Sequence, residues 1–277
     1  MSTAKAHPTR PWTGRVVLFV LVIITLAPFV ALIGTALQPA GTVPSGLTIP
    51  NPPHFENFAT AFQVAQLPTL MFSSALLVVM VVPAALILVV LAAYGIVQLR
   101  IPGAPLVFLL FLMGLTIPYE SLITPLYYLM RDAHLLNTRF AIALPLIALY
   151  LPFGVFWMRA HFLGVPKELG EAASMDGAGS WKALRHVHLP VAAPAIASLA
   201  VLFSLWTWNQ FIVALVMMDD PLKRTVAGAL GAFQGEHSTD LVLICAAAVL
   251  MMLPTILVFI FLQKLFASAL LQGSVKG

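Results

Sequence analysis

The sequence predicts an all-α integral membrane protein with six membrane-spanning helices, and three observations lead to this class. Hydrophobic residues make up 61% of the 277 residues and charged residues only 9%, whereas a soluble domain carries about 25% charged residues. Six apolar runs are long enough to cross about 30 Å of hydrocarbon. The 21 prolines and 17 glycines are more than straight helices would hold, so we expect kinked and broken helices.

The apolar runs set the predicted elements in chain order. A polar arm, residues 1–15, precedes a first run that is longer than the apolar core of a cleaved signal peptide and lacks its small-residue cleavage site. Pro83 interrupts the second span, and Pro118 and Pro125 break the third. The chain ends in a tail, residues 267–277. The predicted spans are residues 16–37, 69–99, 104–129, 140–158, 191–218 and 241–266.

The distribution of Lys and Arg predicts the orientation of these spans. Six spans place both termini on one side of the membrane. If the termini are cytoplasmic, ten of the 14 Lys and Arg residues lie on the inner side, which agrees with the positive-inside rule. The inner ten are Lys5, Arg10, Arg15, Arg100, Arg159, Lys167, Lys182, Arg185, Lys264 and Lys276, and the outer four are Arg131, Arg139, Lys223 and Arg224.

The segment between the fourth and fifth spans, residues 159–190, has the pattern of a helix, a glycine turn and a second helix. Pro166 suits the first helical turn, and acidic residues follow it near the positive helix end. Gly177 fits the left-handed position that closes a helix. The first helix would carry a small apolar face formed by Leu169, Ala172, Ala173 and Met175.

The second helix of this segment is predicted to begin at Ser180, whose side chain can cap it. It would continue through Ala183, Leu184 and Val187 to the next apolar run. Helices of about ten residues are marginal alone in water, so we expect the first one to dock on another surface. A solvated loop that merely joins two spans is the alternative.

The segment resembles the EAA loop of ABC importer permeases. The resemblance rests on the spacing of Glu171-Ala172-Ala173, Gly177 and Leu189-Pro190, with Val187 where the family pattern has Ile. Further stretches resemble the carbohydrate-uptake subfamily with its maltose-type permeases. They are Asn57-Phe58, Pro125-Leu126-Tyr127, Leu136-Asn137-Thr138, Pro152-Phe153, Met175-Asp176-Gly177-Ala178, Trp208-Asn209 and Gly273-Ser274-Val275-Lys276-Gly277.

The resemblance implies a type I ABC importer permease in a bacterial inner membrane. Its partners would be a second homologous permease subunit, an ATPase dimer and an extracytoplasmic solute-binding protein that delivers a sugar or sugar-like substrate. The implied ATPase-coupling residues are Glu168, Glu171, Ala172, Ala173, Asp176, Gly177, Ala178, Leu189 and Pro190. The implied ATPase-contacting tail is Gln272, Gly273, Ser274, Val275, Lys276 and Gly277.

Motifs for nucleotide, metal or hydrolytic chemistry do not occur in the sequence. It has no Gly-x-x-x-x-Gly-Lys-Ser/Thr phosphate loop, no Gly-x-Ser-x-Gly and no His-Glu-x-x-His, which argues against an intramembrane enzyme. The single Cys245 excludes disulfides, and no basic run with aromatics suggests nucleic acid. His186 and His188 point to different helix faces and are expected to be solvated. We therefore expect ATP and Mg²⁺ on the partner ATPase and no cofactor or metal on this chain.

Glu120 is the only acidic residue within a predicted span. A carboxylate at mid-bilayer costs about 2.5–3.5 kcal/mol, so it should face a cavity or a partner. With Tyr119 and Tyr127 it could line a sugar pathway, and a structural role at a subunit interface is the alternative. A secondary transporter driven by an ion gradient is the rival function, but it would require several intramembrane ionisable groups.

A second group of candidate pathway residues lies on the fifth span. Trp206 and Trp208 offer rings that stack on sugar faces, and Asn209 and Gln210 offer amides for hydroxyl groups. Trp is also the usual residue of the membrane interface. Ser73, beside Ser74 on the second span, is a further candidate, although small hydroxyl residues also serve helix packing.

The predicted orientation can be tested by thiol labelling. In a Cys245→Ala background without the partner subunits, Ser180→Cys should react with an impermeant thiol reagent only after the membrane is opened. Ser238→Cys should react in intact cells, because it lies in a predicted outer loop. The reverse labelling pattern would contradict the orientation.

Overall fold

A computed structural model describes residues 11–43, 50–233 and 240–274, with side chains described up to residue 260. Within these ranges the regular elements are helices and no strand occurs. Five helices are long and apolar enough to cross a membrane, and a strongly bent helix pair would make a sixth span. The predicted all-α class is therefore confirmed.

The chain forms two units, residues 1–65 with 230–250 and residues 66–229 with 251–277. The first unit contains helix α1 (Pro11–Ala36) and helix α2 (Glu56–Val64). The arm was predicted to extend to residue 15, but α1 begins at Pro11, because a proline is well tolerated where a helix starts. Residues 1–10 of the predicted arm lie outside the described residues.

Asn57 joins the two helices of the first unit. Its side-chain amide donates hydrogen bonds to the carbonyl oxygens of Ala36, at 2.9 Å, and Gln38, at 2.7 Å. Beside it, the His54 ring and the Glu56 carboxylate are 2.5 Å apart, and this hydrogen bond lowers the pKa of Glu56. The Asn57-Phe58 stretch thus has a structural function in this unit.

Three long helices form the centre of the second unit: α3 (Leu67–Val97), α6 (Arg139–Gly164) and α9 (Leu189–Trp208). They meet at Gly154 on α6. A Cβ atom at this position would lie 2.4 Å from Cγ2 of Val89 and 3.1 Å from Cζ of Phe203. Only glycine allows such a close approach, as is usual where helices pack in lipid.

The third predicted span consists of two helices, α4 (Ala104–Thr116) and α5 (Tyr119–Asp132), which are bent by 103°. The break falls at Pro118, as predicted, because a proline disfavours the helical conformation of the residue before it. The predicted break at Pro125 is absent, since that residue lies inside α5. At 13 residues, α4 is about 20 Å long and cannot cross the hydrocarbon alone.

The fourth span was predicted to end at Met158, but α6 continues to Gly164. The Arg159 guanidinium lies 4.0 Å from the centre of the Phe108 ring on α4, and this cation–π contact accommodates the charge. A charged residue therefore does not end this helix, and the predicted segment 159–190 begins inside it.

The fifth predicted span, residues 191–218, is interrupted. Helix α9 ends at Trp208, and the short helix α10 (Ile212–Met217) follows after a break of three residues. Further along the chain come two 3₁₀ segments, Pro221–Lys223 and Val226–Phe233. The last helix, α11 (Leu241–Ser274), continues through most of the predicted tail.

Two serines on α3 attach the segment that follows α10. The Ser73 hydroxyl donates to the Lys223 carbonyl at 2.9 Å, and the Ser74 hydroxyl accepts from the Val226 N–H at 2.8 Å. Both serines are buried. Ser73 was a candidate for the substrate pathway, but this buried backbone contact gives it a structural role instead.

A pair of hydrogen bonds fixes the link between α5 and α6. The Asn137 side chain donates to Oδ2 of Asp219 and accepts from the Asp219 N–H, both at 2.7 Å. The Asn137 N–H also donates to the Met217 carbonyl. Asn137 adopts a φ of 63°, which Asn tolerates better than most residues. The Leu136-Asn137-Thr138 stretch thereby holds α10 beside α5.

Candidate functional site

The predicted helix after Pro166 is present as α7 (Lys167–Met175). Val165 and Pro166 are extended, with ψ angles of 128° and 134°, so the chain turns sharply out of α6. Glu168 lies in the first turn of α7, where a carboxylate is favourable. Glu171, Ala172 and Ala173 therefore lie on a separate short helix.

Gly177 ends α7 in the left-handed conformation, with a φ of 75°. The Ala178 N–H donates to the Ala173 carbonyl at 2.9 Å, and the Gly177 N–H donates to the Ser174 carbonyl at 3.0 Å. These two bonds are those of a Schellman motif, which satisfies carbonyl groups at a helix end. The predicted left-handed conformation of Gly177 is confirmed. Its two hydrogen bonds give the turn a defined geometry.

The second helix differs from the prediction. Gly179 occupies the capping position, and Ser180 is the first residue of α8 (Ser180–Ala183), without a side-chain cap. The chain then passes through a π-helical turn, Leu184–His188, directly into α9. The Leu189 N–H donates to the Leu184 carbonyl, which is the wider spacing of a π-helix.

A physical reason for the π-helical turn lies at Pro190. This residue has no N–H with which to continue the α-helical ladder, so the hydrogen-bond pattern must change near it. The second helix of the loop is consequently the N-terminal part of the fifth span and not an independent element. Leu189 and Pro190 lie inside this continuous helix.

Most of the predicted apolar face of α7 is not covered by this chain. Ala173 is buried, but Leu169 is 39% exposed, Met175 is 89% exposed, and Trp181 after the turn is 65% exposed. Glu171 is also exposed, and no ion pair to it occurs within the described residues. The outer side of the loop therefore presents apolar side chains together with the Glu171 carboxylate.

His188 is buried, contrary to the expectation of a solvated residue. It is 2% exposed, and its ring lies 5.2 Å from that of Tyr94 and 6.2 Å from that of Phe162. His186 is exposed as expected, with Nδ1 3.1 Å from the Lys182 carbonyl oxygen. The π-helical turn places residue 188 against the spans, which a loop pattern could not predict.

A groove of about 1050 Å³ lies between the loop and the ends of α3 and α6. Gln98 and Arg100 come from the α3 end, Lys167 and Glu171 from α7, and His188 from the π-helical turn. The Gln98 amide donates to the Phe162 carbonyl at 3.2 Å, which joins α3 to α6 beside the groove.

The candidate pathway residues of the fifth span lie at the end of α9. The ring of Trp206 packs edge-on against Tyr150, at 5.5 Å, and Phe153, at 5.1 Å. The Trp208 indole nitrogen is buried without a hydrogen-bond partner in the part of the chain that is described. The rings of Trp206, Tyr150 and Phe153 form an aromatic wall, in which Tyr150 was not indicated by the sequence and Phe153 was noted only as part of the resemblance.

Asn209 and Gln210 lie in the break between α9 and α10, not on a continuous span. The Asn209 amide donates to the Leu205 carbonyl at 2.8 Å, and its side chain is exposed. The Gln210 side chain accepts from the Val213 N–H at 3.3 Å, and its carbonyl accepts from the Thr225 hydroxyl. Gln210 therefore shapes the break, whereas the Asn209 side chain is exposed beside it.

The candidates of the third predicted span lie on α5. Tyr119 and Glu120 form its first turn and are exposed, and Tyr127 is half-buried. Glu120 and Tyr127 are seven residues apart, so they share one helix face. In the described residues no hydrogen bond or ring contact joins this group to Trp206 or Asn209.

The predicted ATPase-contacting tail falls partly within α11. Gln272, Gly273 and Ser274 belong to its last turn, and Val275, Lys276 and Gly277 lie outside the described residues. Tyr94 and Phe162, by contrast, were not among the predicted site residues. A polar Tyr hydroxyl near the end of an apolar run was the available signal for Tyr94.

Residues 77–272 match the family model described as a binding-protein-dependent transport system inner membrane component. The chain is 30% identical to the diacetylchitobiose uptake system permease protein NgcG of Streptomyces coelicolor, over 92% of this chain and 85% of that protein. It is 32% identical to the melibiose/raffinose/stachyose import permease protein MelC of Bacillus subtilis, over 97% and 99%.

A solved structure has the same fold. It is that of a bacterial ABC transporter involved in the import of the acidic polysaccharide alginate, and one of its chains matches with a TM-score of 0.78. The match covers 94% of this chain and 99% of that chain at 22% identity. This likeness concerns the fold alone.

Proposed function

This chain belongs to the family of binding-protein-dependent transport system inner membrane components, and we propose that it is the permease subunit of an ATP-driven saccharide importer. It is a multi-pass membrane protein and not itself the ATPase, which in such systems is a separate subunit. We propose that ATP and Mg²⁺ bind to a partner ATPase dimer. The termini and the loop between α6 and α9 would face the cytoplasm.

The observation that carries this proposal is the geometry of the loop. Helix α7 ends in a defined Schellman turn at Gly177, and Leu169, Met175 and Trp181 remain exposed beside it. A short helix of fixed geometry can carry a rigid-body movement between subunits, whereas a solvated linker cannot. These features support a coupling role for Glu168, Glu171, Asp176 and their neighbours.

The length of α11 supports contact of the tail with the ATPase. Its 34 residues would extend about 51 Å at 1.5 Å per residue, compared with about 30 Å of hydrocarbon. About 20 Å of helix therefore remains outside the hydrocarbon. If the C-terminus is cytoplasmic, this excess brings Gln272, Gly273 and Ser274 to the level at which an ATPase would bind.

The proposed substrate class rests on the relatives and on the aromatic wall at the end of α9. Relatives with import functions for diacetylchitobiose and for melibiose, raffinose and stachyose suggest a disaccharide or oligosaccharide. Trp206 is exposed and offers a ring surface that suits sugars, while Tyr150 and Phe153 pack against it from within the chain. An extracytoplasmic binding protein would deliver the saccharide, and a second permease subunit would complete the pathway.

The energy source can be tested in proteoliposomes that contain this chain, its partner permease and the ATPase. Uptake of labelled diacetylchitobiose or melibiose should require both ATP inside and the loaded binding protein outside. A protonophore should leave the rate unchanged, because no ion gradient is used. Uptake that follows an imposed ion gradient without ATP would instead establish a secondary transporter.

The coupling role predicts a specific defect for Gly177→Val. Valine at a φ of 75° should cost roughly 1–3 kcal/mol of local strain or tilt α7 away from its partner. The packing of α3, α6 and α9 around Gly154 does not involve this turn, so membrane insertion should persist. We expect weak co-purification of the ATPase and little uptake in the same membranes.

Gly179→Val is the matched control for this variant. An added Cβ atom meets open space at both positions, but Gly179 has a φ of −66° and a ψ of 166°, which suits valine. This variant should bind the ATPase normally. If Gly177→Val also binds the ATPase and transports like the wild type, then the loop is only a linker.

We further propose that Asn209 and Glu120 line the substrate pathway, because both side chains are polar and exposed near helix breaks. Replacing either with alanine should reduce uptake roughly two- to tenfold, the effect of losing one hydrogen bond. Ser121→Ala, at the exposed neighbour of Glu120, should have little effect. Loss of subunit assembly in the Asn209→Ala or Glu120→Ala variant would instead indicate an interface role.

A further inference from the structure

The rings of Tyr94, Phe162 and His188 form one buried cluster, which we call the ring cluster. They come from α3, α6 and the π-helical turn, and their centroids are 5.2–6.3 Å apart. All three residues are at least 94% buried. Aromatic pairs at such distances attract each other beyond the effect of buried area, so the ring cluster holds these three elements together.

Two contacts connect the ring cluster to the loop. The Tyr94 hydroxyl donates to the Ser180 carbonyl at 2.9 Å. Nε2 of His188 lies 3.8 Å from the position that a Cβ atom would occupy at Gly170 on α7. Gly170 is half-buried while Leu169 and Glu171 on either side are exposed. Helix α7 therefore turns its glycine to the ring cluster and its neighbours outward.

Packing alone does not explain a histidine in this place. Nδ1 of His188 is buried and has no hydrogen-bond partner within the described residues, and an unpaired buried nitrogen is destabilising. A phenylalanine would fill similar space without this cost. His188 also closes the π-helical turn, and such turns occur frequently at functional sites.

We propose that Tyr94, Phe162 and His188 are positioning residues that transmit the movement of α7 to α3, α6 and α9. Gly170, which faces the His188 ring, and the Ser180 carbonyl, which accepts from Tyr94, are the points at which the loop approaches the ring cluster. This inference rests on the proposed coupling function of the loop. When α7 moves with its partner, its backbone at Gly170 approaches His188 and displaces it, and the ring contacts displace the ends of α3 and α6 together.

The proposal predicts that the size of residue 170 determines coupling. In the reconstituted complex, Gly170→Ala should keep uptake per hydrolysed ATP within about twofold, because a Cβ atom at 3.8 Å makes an ordinary contact. Gly170→Leu should displace the His188 ring and lower uptake per ATP by roughly tenfold or more. The ATPase should remain bound in both variants, since the exposed residues of α7 are unchanged.

Tyr94→Phe tests the second contact without altering the ring cluster. It removes only the hydroxyl that bonds to Ser180, so uptake per ATP should fall roughly two- to tenfold, as for the loss of one hydrogen bond. Tyr128→Phe is the control, because Tyr128 is exposed and lies on α5. Thermal stability of the complex should be similar in both variants.

Two outcomes would overturn the proposal. The first is wild-type uptake per ATP in Tyr94→Phe and Gly170→Leu, which would mean that the ring cluster does not transmit movement. The second is loss of the ATPase from these variants, which would make the ring cluster a mere support for docking. If the Gly170→Leu variant fails to insert into the membrane, the uptake per ATP of Tyr94→Phe alone tests the proposal. Failure of the proposed transport function would give a different result, because uptake by the wild-type complex would then not require ATP.

Discussion

The structure depends on one constraint, which is that a backbone in hydrocarbon must satisfy its own N–H and C=O groups. In this chain the constraint acts together with many prolines. Pro118 separates α4 from α5 with a bend of 103°, and Pro190 follows a π-helical turn in an otherwise continuous helix. These two changes of helix geometry thus have a local backbone cause, and candidate functional residues lie next to them.

Close packing makes the second unit a stable base for the loop. Because Gly154 has no side chain, α6 approaches Val89 on α3 and Phe203 on α9 directly. Ser73 and Ser74 then attach the segment after α10 to α3, while Asn137 and Asp219 attach α10 to the start of α6. Helices held by such specific contacts move together as a rigid body, and a coupled movement requires this.

The sequence predicted the features that depend on local pattern and missed those that depend on tertiary contact. Gly177 was predictable because a left-handed helix end favours glycine. The continuation of α6 past Arg159 could not be predicted, because it depends on a cation–π contact to Phe108 on another helix. The burial of His188 was missed for the same reason, since spacing along a helix does not reveal Tyr94 on α3. Ser180 looked like a cap, but Gly179 took that position.

The loop is connected to the spans in two ways. After Gly177 it runs directly into α9 through the backbone, whereas α7, before Gly177, is connected to the spans through side chains. From Ser180 to Trp208 the chain is helical without interruption apart from the π-helical turn, so a rotation of the turn after Gly177 must reach α9 through the backbone. On the α7 side Gly170 faces His188, whose Nε2 lies 3.8 Å from the position that a Cβ atom would occupy at residue 170. The Val165–Pro166 exit is extended, so no helical backbone carries a movement of α7 into α6, and a second connection is needed. The ring cluster is the contact that the structure provides, and it reaches α3 and α6 at the same time as α9.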